Sequence, residues 1–189
     1  MIKILVRKIE ELDSNERQSI VDALSESARA RLNKKKNEAL HLASLCALSL
    51  LSDAERADLD YTVEGRPFFK SLNADISITH SSSLAAVAIS QSLESPVGID
   101  LEDMIEKPVT FRFLTENEQK LIESGTPYLN IWTKKEALFK FLKNDPTPFI
   151  QLDSTTPEKH GAKLITVALD SSILTACVKK GEMIKIIEK

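Results

Sequence analysis

The chain of 189 residues has two cysteines, one tryptophan, three histidines and five glycines. Cys46 and Cys177 lie far apart, each within an apolar run. That pattern argues against a disulfide framework or a zinc site and fits two buried thiols in a reducing cytoplasm. No apolar run approaches the roughly 18 residues of a membrane helix, and the opening MIKILVRKIEE is too short a run for a signal peptide, so a cytoplasmic protein without a membrane partner is expected. Charge of one sign is also lacking. With 25 Lys and Arg against 28 Asp and Glu the net charge is −3, which excludes a generally basic nucleic-acid-coating surface and leaves room only for a local basic patch. No G-x-x-x-x-G-K-[ST] loop is present, which counts against the common nucleoside-triphosphate enzymes. Hydrophobic residues make up 42%, enough for a sizeable core in one large domain or two small ones.

The stretch around which the chain is organised is VGIDLED, Val97–Asp103. Side chains alternate along a strand, so Val97, Ile99 and Leu101 face one way while Asp100 and Glu102 face the other. Their α-carbons would stand roughly 6.5–7 Å apart, close enough to share one hard cation. Two readings stay open on these residues alone: an acidic edge facing water, or half of a metal site. Further on, IWTKKEALFKFLKN (Ile131–Asn144) has helical period, strong helix formers and no Gly or Pro. A helix there carries a wide apolar arc with Thr133, Glu136, Lys140 and Lys143 on the opposite stripe. Glu136 and Lys140 are then i,i+4 neighbours, an arrangement that also describes an ordinary surface ion pair. Lys135 falls within the apolar arc and must snorkel or find a buried partner.

Elsewhere, Ile2, Ile4 and Val6 open a strand that is apolar on both faces in its middle. Ser14 or Asn15 is expected to cap a helix through Ile20, Val21, Leu24 and Ala28. It leads into a basic stretch of Arg29, Arg31, Lys34, Lys35 and Lys36, which is either a solvated face or an anion site. Asn37–Leu51 reads as a helix buried in the core, with His41 structural. GRPFF at Gly65–Phe69 is a loop or short strand, and Ile76–Ser90 a hairpin with His80 at its tip beside hydroxyls. Phe111–Ser124 is a strand or turn followed by a helix capped by Thr115. The NDPTP break at Asn144–Pro148 ends the Trp132 helix. Leu164–Leu169, Ser171–Val178 and Glu182–Ile187 read as strands. Ser82–Ser90 and Ser171–Lys179 echo one another faintly, which suggests two similar α/β halves, 1–94 and 95–189.

Taken in order, GRPFF, ISITHSS, VGIDLE, FLTENE and WTKKEALFK resemble the 4′-phosphopantetheinyl transferases of the Sfp type, of which G-I-D-x-E and W-x-x-K-E-x-x-x-K are the most specific elements. The resemblance spans about Gly65 to Lys140. It implies an α+β fold of two halves related by a pseudo-twofold axis, with coenzyme A and a divalent ion in the cleft between them. Magnesium ligands would fall on Asp100, Glu102 and Glu136, phosphate contacts on His80 and Lys140, and nucleotide neighbours on Arg66 and Ser81. Lys135 would hold its helix against the other half. Two departures stand out. Ser82 replaces the usual glycine after His-Ser, and the arginine that meets the 3′-phosphate would fall near Ala39–Leu40, where none stands, leaving Lys34, Lys35 and Lys36 as substitutes. The implied activity is transfer of 4′-phosphopantetheine from coenzyme A to a serine of an apo acyl or peptidyl carrier protein, by a monomer with no nucleic-acid partner. Catalysis would rest on Glu136, Lys140 and Asp100. The alternative is a degenerate relative that binds coenzyme A without transferring anything.

Overall fold

β1 (Ile2–Lys8) alternates Ile2, Ile4 and Val6 against Leu5, and both sets are buried, so this strand lies in the middle of a layered structure rather than at its surface. The computed structural model describes residues 1–105, 108–143 and 145–189; Asn144, the first residue of the expected NDPTP break, lies outside the described residues. After β1 come α1 (Ser14–Asp22), α2 (Glu26–Asn33), α3 (Glu38–Ser49), α4 (Asp53–Asp58), the short strands β2 (Leu59–Tyr61) and β3 (Pro67–Phe69), and the hairpin β4 (Ile76–His80) and β5 (Leu84–Ile89). The second part comprises β6 (Val97–Asp103), α5 (Glu116–Glu123), α6 (Tyr128–Leu142), β7 (Ala162–Leu169), β8 (Ser172–Lys179) and β9 (Ile184–Glu188).

The helix expected across Ile20 to Ala28 is two helices. Asp13 caps the first, its carboxylate accepting from the Glu16 N–H. Ser25 caps the second, accepting from the Ala28 N–H while donating to the Leu59 carbonyl. A hydroxyl used in both ways pins the break to β2, a tertiary contact that local pattern does not encode. α3 is the buried helix expected, capped by Asn37. The buried Arg56 guanidinium donates to the Leu48 carbonyl in its last turn and to the Leu51 carbonyl just beyond its end, closing off the polar groups where the helix stops.

Sheet order is β4-β5-β1-β9 in one layer and β6-β8-β7 in the other, with β2-β3 a separate ribbon. Omitting β9, each layer places its hairpin beside its opening strand in the same order, and the two echoing segments are the central strands β5 and β8. β9 instead returns to pair parallel with β1, Ile2 opposite Ile184. The layers stack as helices, sheet, sheet, helix. One core lies between α1–α3 and the first sheet (Leu24, Leu45, Ile76, Val87), one between the sheets (Ile4, Ala86, Ile99, Leu174, Ala176), and one beneath α6 (Ala137, Leu138, Phe141, Cys177).

Candidate active site

Among the described residues β6 pairs with β8 along one edge. Its other edge meets side chains of β4 instead of a backbone: the Val97 N–H donates to Asp75 at 2.8 Å and the Ile99 N–H to Ser77 Oγ at 3.1 Å, while Thr79 Oγ1 donates to Asp100 at 3.3 Å. Asp75, Ser77 and Thr79 are alternate residues, so one face of β4 serves the seam while Ile76 on the other face enters the core under α3. These three polar residues were legible as an alternation in D-I-S-I-T, yet reading that segment for its isoleucines misses them. They bring the ends of β4 and β6 together.

α6 lies directly on β6 because residue 98 is glycine. A Cβ at Gly98 would stand 2.1 Å from the Ala137 carbonyl oxygen and 2.4 Å from the Phe141 nitrogen. Gly98, Asp100 and Glu102 share the strand face toward the helix. Lys140 from α6 then reaches Asp100 Oδ1 at 2.7 Å and the Ile99 carbonyl at 3.1 Å. The polar stripe of α6 thus faces the sheet rather than water, and Thr133 within it is fully buried against Thr175 at 2.9 Å. Burial pushes the Glu136 carboxyl above its usual range; Lys140 opposes this, while the negative charges of Asp100 and Glu102 add to it. Asp100, Glu102 and Lys140 therefore all bear on the Glu136 carboxyl at the α6–β6 contact.

Among the described residues no three His, Cys, Asp or Glu side chains stand together as a ready metal-binding group. The donor set nevertheless fits a hard cation. Asp100 Oδ2 is buried with no hydrogen-bond partner among the described residues, and the charge raising Glu136 is the charge a divalent ion would neutralise.

Beside these residues opens a cavity of about 330 Å³, lined by Asp100 and Lys140 from the second part and by His80, Thr79, Lys35, Arg31 and Tyr61 from the first. Its floor is apolar, with Ala28, Leu32, Leu48 and Ile78. The Arg31 guanidinium lies over the Tyr61 ring at 4.7 Å, and the Lys35 ammonium is hydrogen-bonded to Ser44. Burial lowers the Lys35 pKa, and Arg31 lowers it further. Burial, then Lys35 and Lys140, likewise hold His80 below the usual histidine value, so it is neutral at pH 7. Arg31, Lys35 and Lys140 around one concave site make it attractive to an anion.

The remaining candidates stand elsewhere. Lys34 and Lys36 are exposed and do not line this cavity. Arg66 lies behind it, donating to the Lys140 carbonyl and lying 3.6 Å from Asp75, where it serves the C-terminal end of α6. Ser81 Oγ is turned to Asp103 at 2.6 Å. Lys135 does not tie α6 to the other half. It is fully buried and pairs at 2.9 Å with the equally buried Glu118 of α5, within its own half, and it also donates to the Leu152 carbonyl.

Residues 96–181 match the family described as the 4′-phosphopantetheinyl transferase superfamily, a segment that includes β6, α6 and the carboxylates above. No curated protein matches the chain.

Proposed function

From the premise that residues 96–181 are a 4′-phosphopantetheinyl transferase superfamily segment, we propose that the protein is a transferase of the Sfp type that moves 4′-phosphopantetheine from coenzyme A to a serine of an apo acyl or peptidyl carrier protein. The observation that carries this reading is the meeting of Asp100, Glu136 and Lys140 with the cavity of His80, Lys35 and Arg31 at the seam of two sheets whose order matches once β9 is set aside. That seam is the cleft of a pseudo-twofold fold.

In this reading the adenosine end of coenzyme A lies in the cavity, and the pyrophosphate lies between His80 and Lys140. Magnesium, held by Asp100, Glu102 and Glu136, would supply positive charge to the pyrophosphate. The carrier serine oxygen forms a bond to the β-phosphorus, the bond to the bridging oxygen breaks, and 3′,5′-ADP leaves with the electron pair. Glu136, directly or through a water, takes the serine proton. Lys140 donates to the phosphate oxygens on which charge grows.

For the 3′-phosphate, Arg31 and Lys35 are the assigned contacts, because both line the cavity whereas Lys34 and Lys36 do not. Calorimetric titration in magnesium tests the reading. Replacing Arg31 and Lys35 with Ala should weaken coenzyme A by roughly five- to a hundred-fold and 3′-dephospho-coenzyme A much less, since charge-assisted hydrogen bonds to a phosphate contribute about 1–3 kcal/mol. A Lys34→Ala, Lys36→Ala variant should bind both as the parent does. No coenzyme A binding at low salt would refute the reading, and binding without transfer to any carrier would favour the degenerate relative.

A further inference from the structure

The apolar face of β6 runs Val97, Ile99, Leu101 and then, where alternation asks for a fourth apolar residue, Asp103, which is 8% exposed. Its Oδ1 accepts from the hydroxyls of Ser81, Ser83 and Ser172, and its Oδ2 from the hydroxyl and the N–H of Ser82, the latter at 2.8 Å. A buried carboxylate is costly unless its lone pairs are filled, and here donors from two chain segments fill them. The turn does not need this carboxylate in order to close, because the Ser81 N–H already bonds the Leu84 carbonyl at 2.8 Å and β4 and β5 pair up to His80–Ala85. What Asp103 adds is a fixed position for that turn on the end of β6 and β8. The substitution of Ser82 for a glycine belongs to the same arrangement, since Ser82 supplies two of the donors.

We propose that Asp103 is a positioning residue of the cleft, which clamps the Ser81–Ser83 turn onto the carboxylate strand and through it fixes the His80 imidazole against Lys35 and Lys140. β4 is then held at both ends by carboxylates across the seam, Asp75 on Val97 at its start and Asp103 on the serines at its end. Along β6 the two faces divide the work: Asp100 and Glu102 face the chemistry, and Asp103 faces the anchor.

The test has one arm that does not depend on any ligand. In protein labelled at its three histidines, His41, His80 and His160, the imidazole resonances of His80 should move or double in Asp103→Ala and in Asp103→Asn, with the other two unmoved. Should the alanine variant fail to fold, the asparagine variant, which keeps an acceptor, decides. Unchanged His80 resonances would overturn the proposal whatever the protein binds. The second arm rests on the coenzyme A reading above. Asp103→Ala should weaken coenzyme A about tenfold, the scale of a charge-assisted contact, yet add no loss when His80 is already Ala. A full additive loss in the double variant would make Asp103 a general stabiliser and overturn its action through His80. If the parent binds no coenzyme A, the functional reading falls, and the resonance arm alone decides for or against the clamp.

Discussion

Gly98 is the residue on which the site's assembly turns, because its missing side chain lets α6 rest its backbone on β6. Gly98→Ala would force the helix away from a contact that no real Cβ makes, an overpacking that costs about 3 kcal/mol. Chemical denaturation should show that loss, and a variant of parental stability would mean that α6 does not sit on Gly98. The G-I-D-x-E pattern was visible in the sequence, as was the shared face of Asp100 and Glu102. The reason for the glycine was not, since it lies in a helix some forty residues away. His80 gives a pH prediction. Burial, then Lys35 and Lys140, lower its pKa from the ordinary 6.5, so the unfolded chain takes up a proton before the folded one does. Stability present above the ordinary value is therefore lost as pH falls below about 6.5. Thermal melts should show a smaller acid loss in His80→Gln than in the parent; equal losses would contradict a buried, cation-flanked imidazole.

α6 is the element in which pattern and packing differ most instructively. Helical period predicted it well, although it begins at Tyr128, before the apolar run, and ends at Leu142, with Lys143 at φ 51° beyond it. On pattern alone the Glu136 and Lys140 stripe reads equally as an ordinary surface ion pair. In the structure the helix is covered on both sides. The sheet takes Thr133, Ala137 and Lys140, while Trp132 and Phe139 join Phe113 and Phe149 in an aromatic cluster with ring centroids 5.3–6.5 Å apart. Lys135 was recognised from sequence as needing a partner, but which one depended on α5 folding back. Glu118, its partner, also accepts from the Thr115 and Ser154 N–H groups. Lys135→Met leaves that carboxylate buried without its counter-charge and should cost about 3–5 kcal/mol in urea denaturation. Adding Glu118→Gln should recover part of the loss, because the orphaned charge is then gone. A double variant less stable than Lys135→Met would contradict the account.

At the scale of the whole molecule, a four-stranded and a three-stranded sheet face each other through an apolar layer and are joined at one seam by β4 and β6. The echoing segments Ser82–Ser90 and Ser171–Lys179 fall on β5 and β8, buried strands that draw on the same small and branched residues. The parallel return of β9 to β1 was not legible, since strand pairing at that sequence separation is decided by which edge remains open. The cationic cavity takes Arg31 from α2 and Lys35 from the chain just past its end, while Lys34 and Lys36 beside them stay exposed, a selection that residue type alone does not make. The central claim is that this seam transfers phosphopantetheine. Its most direct measurement is the intact mass of a panel of apo acyl and peptidyl carrier proteins after incubation with the protein, coenzyme A and magnesium. The account predicts that at least one carrier gains the mass of one phosphopantetheine on its serine, with one 3′,5′-ADP released per carrier, and that a folded Asp100→Ala variant gives none. Carriers of unchanged mass across the panel, with coenzyme A bound to the protein, would contradict it.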